Sequence, residues 1–430
     1  MNGDGLERLT GAVPGARTGE LHAPLRSYES RNVTYLAEDF PVFWESASGA
    51  TVTDVDGNRY IDLTSAFGVA NVGHGNPRVV AAITDQASRL MHGMGDVHPT
   101  EVRTHLLQRL AGVLPAGLNK TFLATTGSEA VEAAMKTAMV ATGKSAFVAF
   151  RGAYHGLSFG TLAISGIEKF REPFAPMLPT TTVLLDYPRT GVDDADGAIA
   201  HARSEIAARD DIAAIVIEPI QSRGGCIVPP PGYLAALRRL CDERGILLIF
   251  DEIYTGFGRT GTWFAAEYEG VTPDIMCIGK AMGAGFPISA AVARDDIMDA
   301  WPISTGEALH TSTYLGNPMG CAAALAAIDE LEERALPARA SDLGAVLGAR
   351  LEAFRDAGAL DVRGRGMMWG IQLRDAAEVE RVVKKALALG VIALPAGPLG
   401  DVISLGPPLV ISEAQLHRAL DILGQALRNG

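Results

Sequence analysis

At 430 residues with 48% hydrophobic content, the chain is long enough to bury a large core, and one large unit plus a smaller one is expected. A net charge of −13 and a pI near 5.2 disfavour a nucleic-acid partner and are compatible with cationic substrates. No apolar run reaches the length of a membrane helix and the opening residues lack a basic-then-apolar signal pattern, so a cytoplasmic protein without membrane contact is expected.

Residues 1 to about 40, with Gly- and Pro-containing stretches and little periodicity, read as a loose arm. From about Val79 to Ile328, short apolar runs alternate with helical patterns, the signature of a mostly parallel sheet covered by helices. Thr121–Ala124 reads as a short strand, Thr125 to Ser128 as a turn, and Glu129–Met139 as a helix of strong formers with Ser128 at its N-cap. Free amides at Gly127 and Ser128, the helix dipole and the Ser128 hydroxyl suit a phosphate dianion, although Gly-Ser before a helix is by itself only a cap. The next apolar strand, Ala146–Phe150, leads to Tyr154-His155-Gly156, where a ring suits stacking on a pyridine face and an ordinary loop tyrosine reads the same. Ile212–Ile217 is a further buried strand, ending in Glu218-Pro219. Ile246–Phe250 ends in Asp251-Glu252 and a Gly-rich segment, which points the Asp251 carboxylate into the crevice where α/β proteins bind ligands. Asp274–Gly279 then runs into Lys280 and the loop Ala281–Pro287.

Lys280 carries the chemistry. Of seven lysines, Lys120 and Lys144 lie in turn-like segments, Lys136 and Lys169 among polar neighbours, and Lys384 and Lys385 on an amphipathic stretch; Lys280 alone ends a hydrophobic strand. Burial there disfavours the ammonium form and frees a nucleophilic amine for Schiff-base chemistry with an aldehyde. Lys280 alone reads equally as a lysine capping a strand at the surface. Asp251 separates the two, because an ionised carboxylate facing a lysine-bound aldehyde suits pyridoxal phosphate, whose ring nitrogen must stay protonated to act as an electron sink.

Residues 329 to 430 read as a separate α+β unit: a charged helix, a turn at Arg363–Gly366, a strand from Met367 to Leu373, then helix, strands and a closing amphipathic helix. The expected division is an N-terminal arm and a segment packing with the small domain over 1–78, a large cofactor-binding domain over 79–328 and a small domain over 329–430. The cysteines at 226, 241, 277 and 321 are scattered and read as buried thiols, and nine histidines include no His-Glu-x-x-His, so no metal site is expected.

Gly127-Ser-Glu-Ala130, Tyr154-His-Gly156, Glu218-Pro-Ile-Gln221, Asp251-Glu-Ile-Tyr-Thr-Gly-Phe-Gly-Arg-Thr-Gly261, Lys280 and Thr313-Tyr-Leu-Gly-Asn-Pro318 resemble, in order and spacing, the class III aminotransferases, pyridoxal-phosphate enzymes of fold type I. The likeness runs from about Pro41 to the C-terminus. It implies an α/β fold with a large domain around a mostly parallel sheet and a smaller α+β domain. It further implies that Lys280 holds the cofactor aldehyde and that Asp251 pairs with the pyridine nitrogen. Ile253 and Tyr154 would flank the ring, with Gly127, Ser128, His155, Glu218 and Tyr254 around it. Thr313 would reach the cofactor phosphate of a neighbouring subunit, so a homodimer with shared active sites is implied.

Departures from the family pattern bear on the substrate. Many relatives acting on ornithine or 4-aminobutyrate have a glutamate where this chain has Arg223, and an arginine that grips the α-carboxylate where this chain has Ser404. The usual clamp is missing, and Arg223 offers a replacement from the other wall or is a solvated loop residue. Tyr254 stands where glutamine commonly bonds the cofactor phenolate. The expected reaction moves an amino group between a primary amine and a keto acid, with a diamine, amino sugar or aminoglycoside-like amine on one side and Trp44, Phe67 and Tyr254 shaping the pocket. An epimerase or aminomutase shares the same cofactor residues. Gly156-Leu-Ser158-Phe-Gly160 matches the serine-hydrolase pattern, but no dedicated strand precedes it.

Overall fold

The structure, a computed structural model, describes residues 5–34 and 36–428; the outermost residues of the expected first and last units lie outside the described residues. The first antiparallel strands are β1 (Trp44–Ser48), β2 (Thr51–Asp54) and β3 (Arg59–Asp62). The central sheet is built from β4 (Lys120–Ala124), β5 (Ala146–Phe150), β6 (Val183–Leu185), β7 (Ile212–Ile217), β8 (Leu247–Asp251), β9 (Ile275–Ile278) and β10 (Ser289–Ala293), in the order β4-β10-β9-β8-β7-β5-β6. Every residue of β5, β7 and β9 is buried, which is why these strands are continuous apolar runs rather than alternating ones. Strand β10 runs antiparallel to both neighbours, so the other six share one direction. The ends of β5, β7, β8 and β9 therefore open on one edge of the sheet, where β8 ends in Asp251 and the segments that follow β5, β7 and β9 carry Tyr154, Glu218 and Lys280.

Beyond the helix Pro318–Glu333, whose small residues pack closely against helix Pro77–Arg89, the chain forms β11 (Asp361–Arg365), β12 (Met368–Gln372), β13 (Val391–Ile392), β14 (Leu394–Ala396) and β15 (Val402–Leu405). Four of them make an antiparallel sheet in the order β11-β12-β15-β14, whereas β13 joins β3 in parallel. The expected turn at Arg363–Gly366 is mostly strand, because Arg363 to Arg365 pair with Gly370 to Met368 of β12 and only the tip turns.

The amino-terminal arm is more ordered than its sequence suggests. Ala16–Tyr28 is helical without an apolar face, and it is anchored where Asp56 accepts bonds from the backbone amides of Arg17 and Thr18, at 2.8 and 3.0 Å. A tertiary carboxylate thus starts a helix that local periodicity does not announce.

Arg259 clasps the units together. It is fully buried, and its guanidinium donates to the Met367 and Pro407 carbonyls, at 3.0 and 2.6 Å, and to Ser65 Oγ and Asn71 Oδ1. Arg259→Met strands these acceptors and is expected to cost about 2–5 kcal/mol of stability. Differential scanning calorimetry checks it; an unchanged melting temperature would show that the clasp carries nothing.

Candidate active site

Lys280 opens a short 3-10 turn directly after β9, in the left-handed backbone region at φ +44. A non-glycine residue pays a steric penalty there, and the packed turn around it holds the conformation. Its amine has no hydrogen-bond or carboxylate partner among the described residues and sits 5.4 Å from the centroid of the Tyr254 ring. Burial pushes Lys280 below the usual lysine range, with Asp251 and Glu218 pulling partly the other way.

Lys280 lines a cavity of about 380 Å³. Tyr154, Phe170, Phe67, Tyr254, Arg223 and Ser404 form much of its wall, and Pro395 and Ala396 come from the C-terminal sheet. No acidic side chain is among its lining residues. Phe67 lies in a run of positive-φ residues, with Ser65, Ala66 and Phe67 at φ +50, +47 and +64 and Gly68 at +76. Thr64 Oγ1 accepts from Ala66 N and Ser65 Oγ donates to the Gly406 carbonyl, at 3.2 and 2.6 Å, and these bonds fix the strained turn that presents Phe67.

Asp251 is buried at the end of β8. Its Oδ1 accepts from Ile253 N at 3.1 Å and its Oδ2 lies 2.8 Å from His155 Nδ1. Burial alone would lower the His155 pKa, but the bond and charge of Asp251 outweigh it and the imidazole ends above its ordinary value. Its Nε2 is buried without a hydrogen-bond partner among the described residues. His155 therefore bears on Asp251 rather than on the cavity.

Several expectations need correcting. Helix Gly127–Thr142 is capped by Thr126, not Ser128: Thr126 Oγ1 accepts from Glu129 N at 3.2 Å while Glu129 Oε2 accepts from Thr126 N at 3.1 Å. The Ser128 hydroxyl is engaged with Ser158 Oγ and Thr161 Oγ1, at 2.7 and 2.8 Å. Glu218 is buried outside the lining, where it accepts from Tyr154 N, Ser222 N and Ser222 Oγ at 2.8–3.0 Å; it holds the two loops that carry Tyr154 and Arg223. Trp44 does not line the cavity but meets His74 edge-on, ring centroids 5.8 Å apart. The Tyr254 hydroxyl is turned to Ser404 and Gly406. Thr313 is exposed on the 311–316 turn. Ser158 has hydroxyl and Glu132 partners but no imidazole among the described residues, which removes the relay a serine hydrolase needs.

Ile253 is buried with its side chain against Gly127 and Gly279, beside the helix start. A buried amine, a buried carboxylate, an aromatic wall and a helix N-terminus at Gly127 together fit a flat heterocyclic aldehyde that carries a phosphate. Sequence reasoning missed Phe170, Leu157, Thr34 and Pro395 as lining residues; they arrive from separate segments, and only the capping box Thr126-x-x-Glu129 had a local signal to find.

A family model described as aminotransferase class-III matches residues 34–427. The chain is 40% identical over 412 residues to the acetylornithine aminotransferase of Methanosarcina mazei, covering 95% of this chain and 98% of that one. Among solved structures it resembles the ornithine aminotransferase of Toxoplasma gondii with a TM-score of 0.86, at 31% identity over 95% of this chain and 94% of that one. It also resembles an amine transaminase from an uncultivated Pseudomonas species in its PLP-bound form, with a TM-score of 0.87, at 31% identity over 94% and 98% of the two chains.

Proposed function

The chain belongs to the class-III aminotransferases, enzymes that use pyridoxal phosphate, and we propose that its donor is a primary amine whose carboxylate lies away from the reacting carbon. The observation that carries this reading is the cavity itself: it holds the Arg223 guanidinium, which has no carboxylate partner among the described residues, and no acidic side chain. A diamine or aminoglycoside-like polycation, one expectation from the sequence, would bring a second ammonium into a site without a counter-charge. An anionic tail instead meets Arg223, whose fork suits a carboxylate. The names of the acetylornithine and ornithine aminotransferases support a donor of this kind, a terminal amine on a chain that ends in a carboxylate.

The cofactor supplies an electron sink when bound. Lys280 would hold the cofactor aldehyde and would move the proton at the substrate carbon as general base and acid. Asp251, with His155 behind it, would hold the ring nitrogen, and Tyr154 and Ile253 would hold the ring. The amides of Gly127 and Ser128 would take the phosphate, with Thr313 of a second copy completing that site. Support for a homodimer comes from segment 91–97, which lies against 311–317 through His92–Tyr314 and Asp96–Thr311 contacts and leaves Met91, Met94, Val97 and Tyr314 exposed. Four buried free cysteines support a reducing, cytoplasmic setting.

Arg223→Ala is expected to raise KM for an amine with a remote carboxylate by roughly 10- to 100-fold, the worth of a charge-assisted bond, and to spare a carboxylate-free amine. Steady-state kinetics on both amines checks it. Equal effects on the two would overturn the donor assignment. An α-amino acid converted without any carbonyl product would point to epimerisation instead.

A further inference from the structure

Outside the active-site cavity lies a second cavity of about 740 Å³, walled on one side by segments around Arg189, Pro219 and Tyr268 and on the other by Arg355 and β11. Its centre is a junction of guanidiniums on one carboxylate. Asp361 Oδ2 accepts from Arg189 Nη2 at 2.7 Å and from Arg363 Nη1 at 2.9 Å, and Asp361 Oδ1 accepts from Arg355 Nη2 at 2.9 Å. Of these arginines, Arg363 is the deepest, with 9% of its side chain exposed.

The remaining donors of Arg363 point away from the junction. Its Nη2 donates to Gln372 Oε1 at 3.0 Å, and its Nε donates to the Gly225 carbonyl at 2.8 Å. Gly225 belongs to the turn that carries Arg223. That turn closes on itself where Gly225 N and Cys226 N donate to the Ser222 carbonyl, at 3.1 and 3.2 Å. It is tied elsewhere by Glu218 at Ser222, and by the Arg223 carbonyl, which accepts from Gly397 N at 3.0 Å. Arg223 Nη1 donates to the Pro395 carbonyl at 3.2 Å, which leaves the other guanidinium nitrogens for the cavity. Position 225 is suited to the contact: it adopts φ +107, and a Cβ there would come within 3.0 Å of Arg363 Nη2. Gly370 of β12 meets the same turn, where a Cβ would lie 2.9 Å from the Gly225 carbonyl. Three different parts of the chain thus fix the turn, and the C-terminal sheet does so through one charged side chain.

We propose that Arg363, held in its rotamer by Asp361, is a positioning residue that sets the 221–226 turn and thereby aims the Arg223 guanidinium, so that it determines specificity for carboxylate-bearing amines without touching them. The inference rests on the assignment of Arg223 as the carboxylate anchor. Freed from Asp361 or removed, Arg363 no longer holds the Gly225 carbonyl, and the turn relaxes while the cofactor residues on β8 and β9 keep their places. A misplacement of about 1 Å at an anchor is enough to weaken binding by an order of magnitude or more.

The test uses the cofactor-loaded enzyme and two amines that differ by one carboxylate, 5-aminopentanoate and butylamine. Wild type, Arg363→Met, Asp361→Asn, Arg223→Ala and the double variant Arg223→Ala/Arg363→Met are compared by steady-state kinetics, with melting temperature measured in parallel. Arg363→Met is expected to raise KM for 5-aminopentanoate roughly tenfold, to leave kcat within about twofold, and to leave butylamine unaffected. In the Arg223→Ala background it should add nothing, since the group it aims is gone. Asp361→Asn, the milder change, should act in the same direction and serves if Arg363→Met does not fold. If Arg223→Ala discriminates between the amines but neither Arg363→Met nor Asp361→Asn does, the positioning role is wrong and the anchor stands. If Arg223→Ala itself does not discriminate, the anchor assignment fails, and the positioning role with it. Equal KM increases for both amines with a lowered melting temperature would show a purely structural role.

Discussion

Lys280→Ala is expected to abolish turnover, with kcat down by at least about 10⁴-fold, because in the proposed mechanism one side chain would both hold the cofactor and move the proton. Lys280→Arg should fare no better: a guanidinium keeps the charge but offers neither a free amine nor an accessible base. The chemical check is independent of kinetics. Borohydride reduction of the loaded enzyme followed by peptide mapping should place the cofactor on Lys280. Burial holds the Lys280 pKa below the ordinary lysine range, so the free amine, the reactive form, is present at lower pH than in an ordinary lysine. The rate at which cofactor-free protein takes up pyridoxal phosphate should accordingly rise with pH, with its midpoint below that of an ordinary lysine. Label on another lysine, or an alanine variant within tenfold of wild type, would remove Lys280 from the mechanism.

Asp251→Asn is expected to lower kcat by about 10²- to 10⁴-fold while leaving the fold intact, since the amide keeps the shape but loses the charge that, in the proposed mechanism, would hold the ring nitrogen protonated. The same substitution reports on His155. With the carboxylate gone, the main influences that raise the His155 pKa disappear and burial is opposed only by the more distant charge of Glu218, so the His155 pKa should fall. Nitrogen-detected NMR of the ring would follow the change. A variant that retains its rate, or an imidazole that does not move, would mean that the Asp251–His155 pair is not coupled to the chemistry as proposed.

Much of the site can be read along the chain because each piece has a local signature. An apolar run that stops at a charged residue marks a strand end, and β8 with Asp251 and β9 with Lys280 do so plainly. The Ser128 cap was misplaced by two residues although the signal, Thr126 with Glu129 three positions on, lies in the sequence. Helix Ala16–Tyr28 could not be read in the same way, since its start depends on a carboxylate at position 56. Trp44 lies against His74 and outside the cavity lining for a related reason: an aromatic beside a motif does not reveal which way its strand turns it.

By itself the sequence determined the family and, with it, the cofactor, and it singled out Lys280 and Asp251 as candidates, because these readings depend on residue type at the ends of buried strands. The tertiary structure decided what surrounds them. Only folding brings Arg223 and Phe170 of the large unit together with Pro395 and Ser404 around one cavity. It also turns the Tyr254 hydroxyl toward Ser404 and sets Arg363 against the turn that carries Arg223. Charge balance within a cavity is a property of side chains distant in sequence, so no local pattern records that this one holds a guanidinium and no acid.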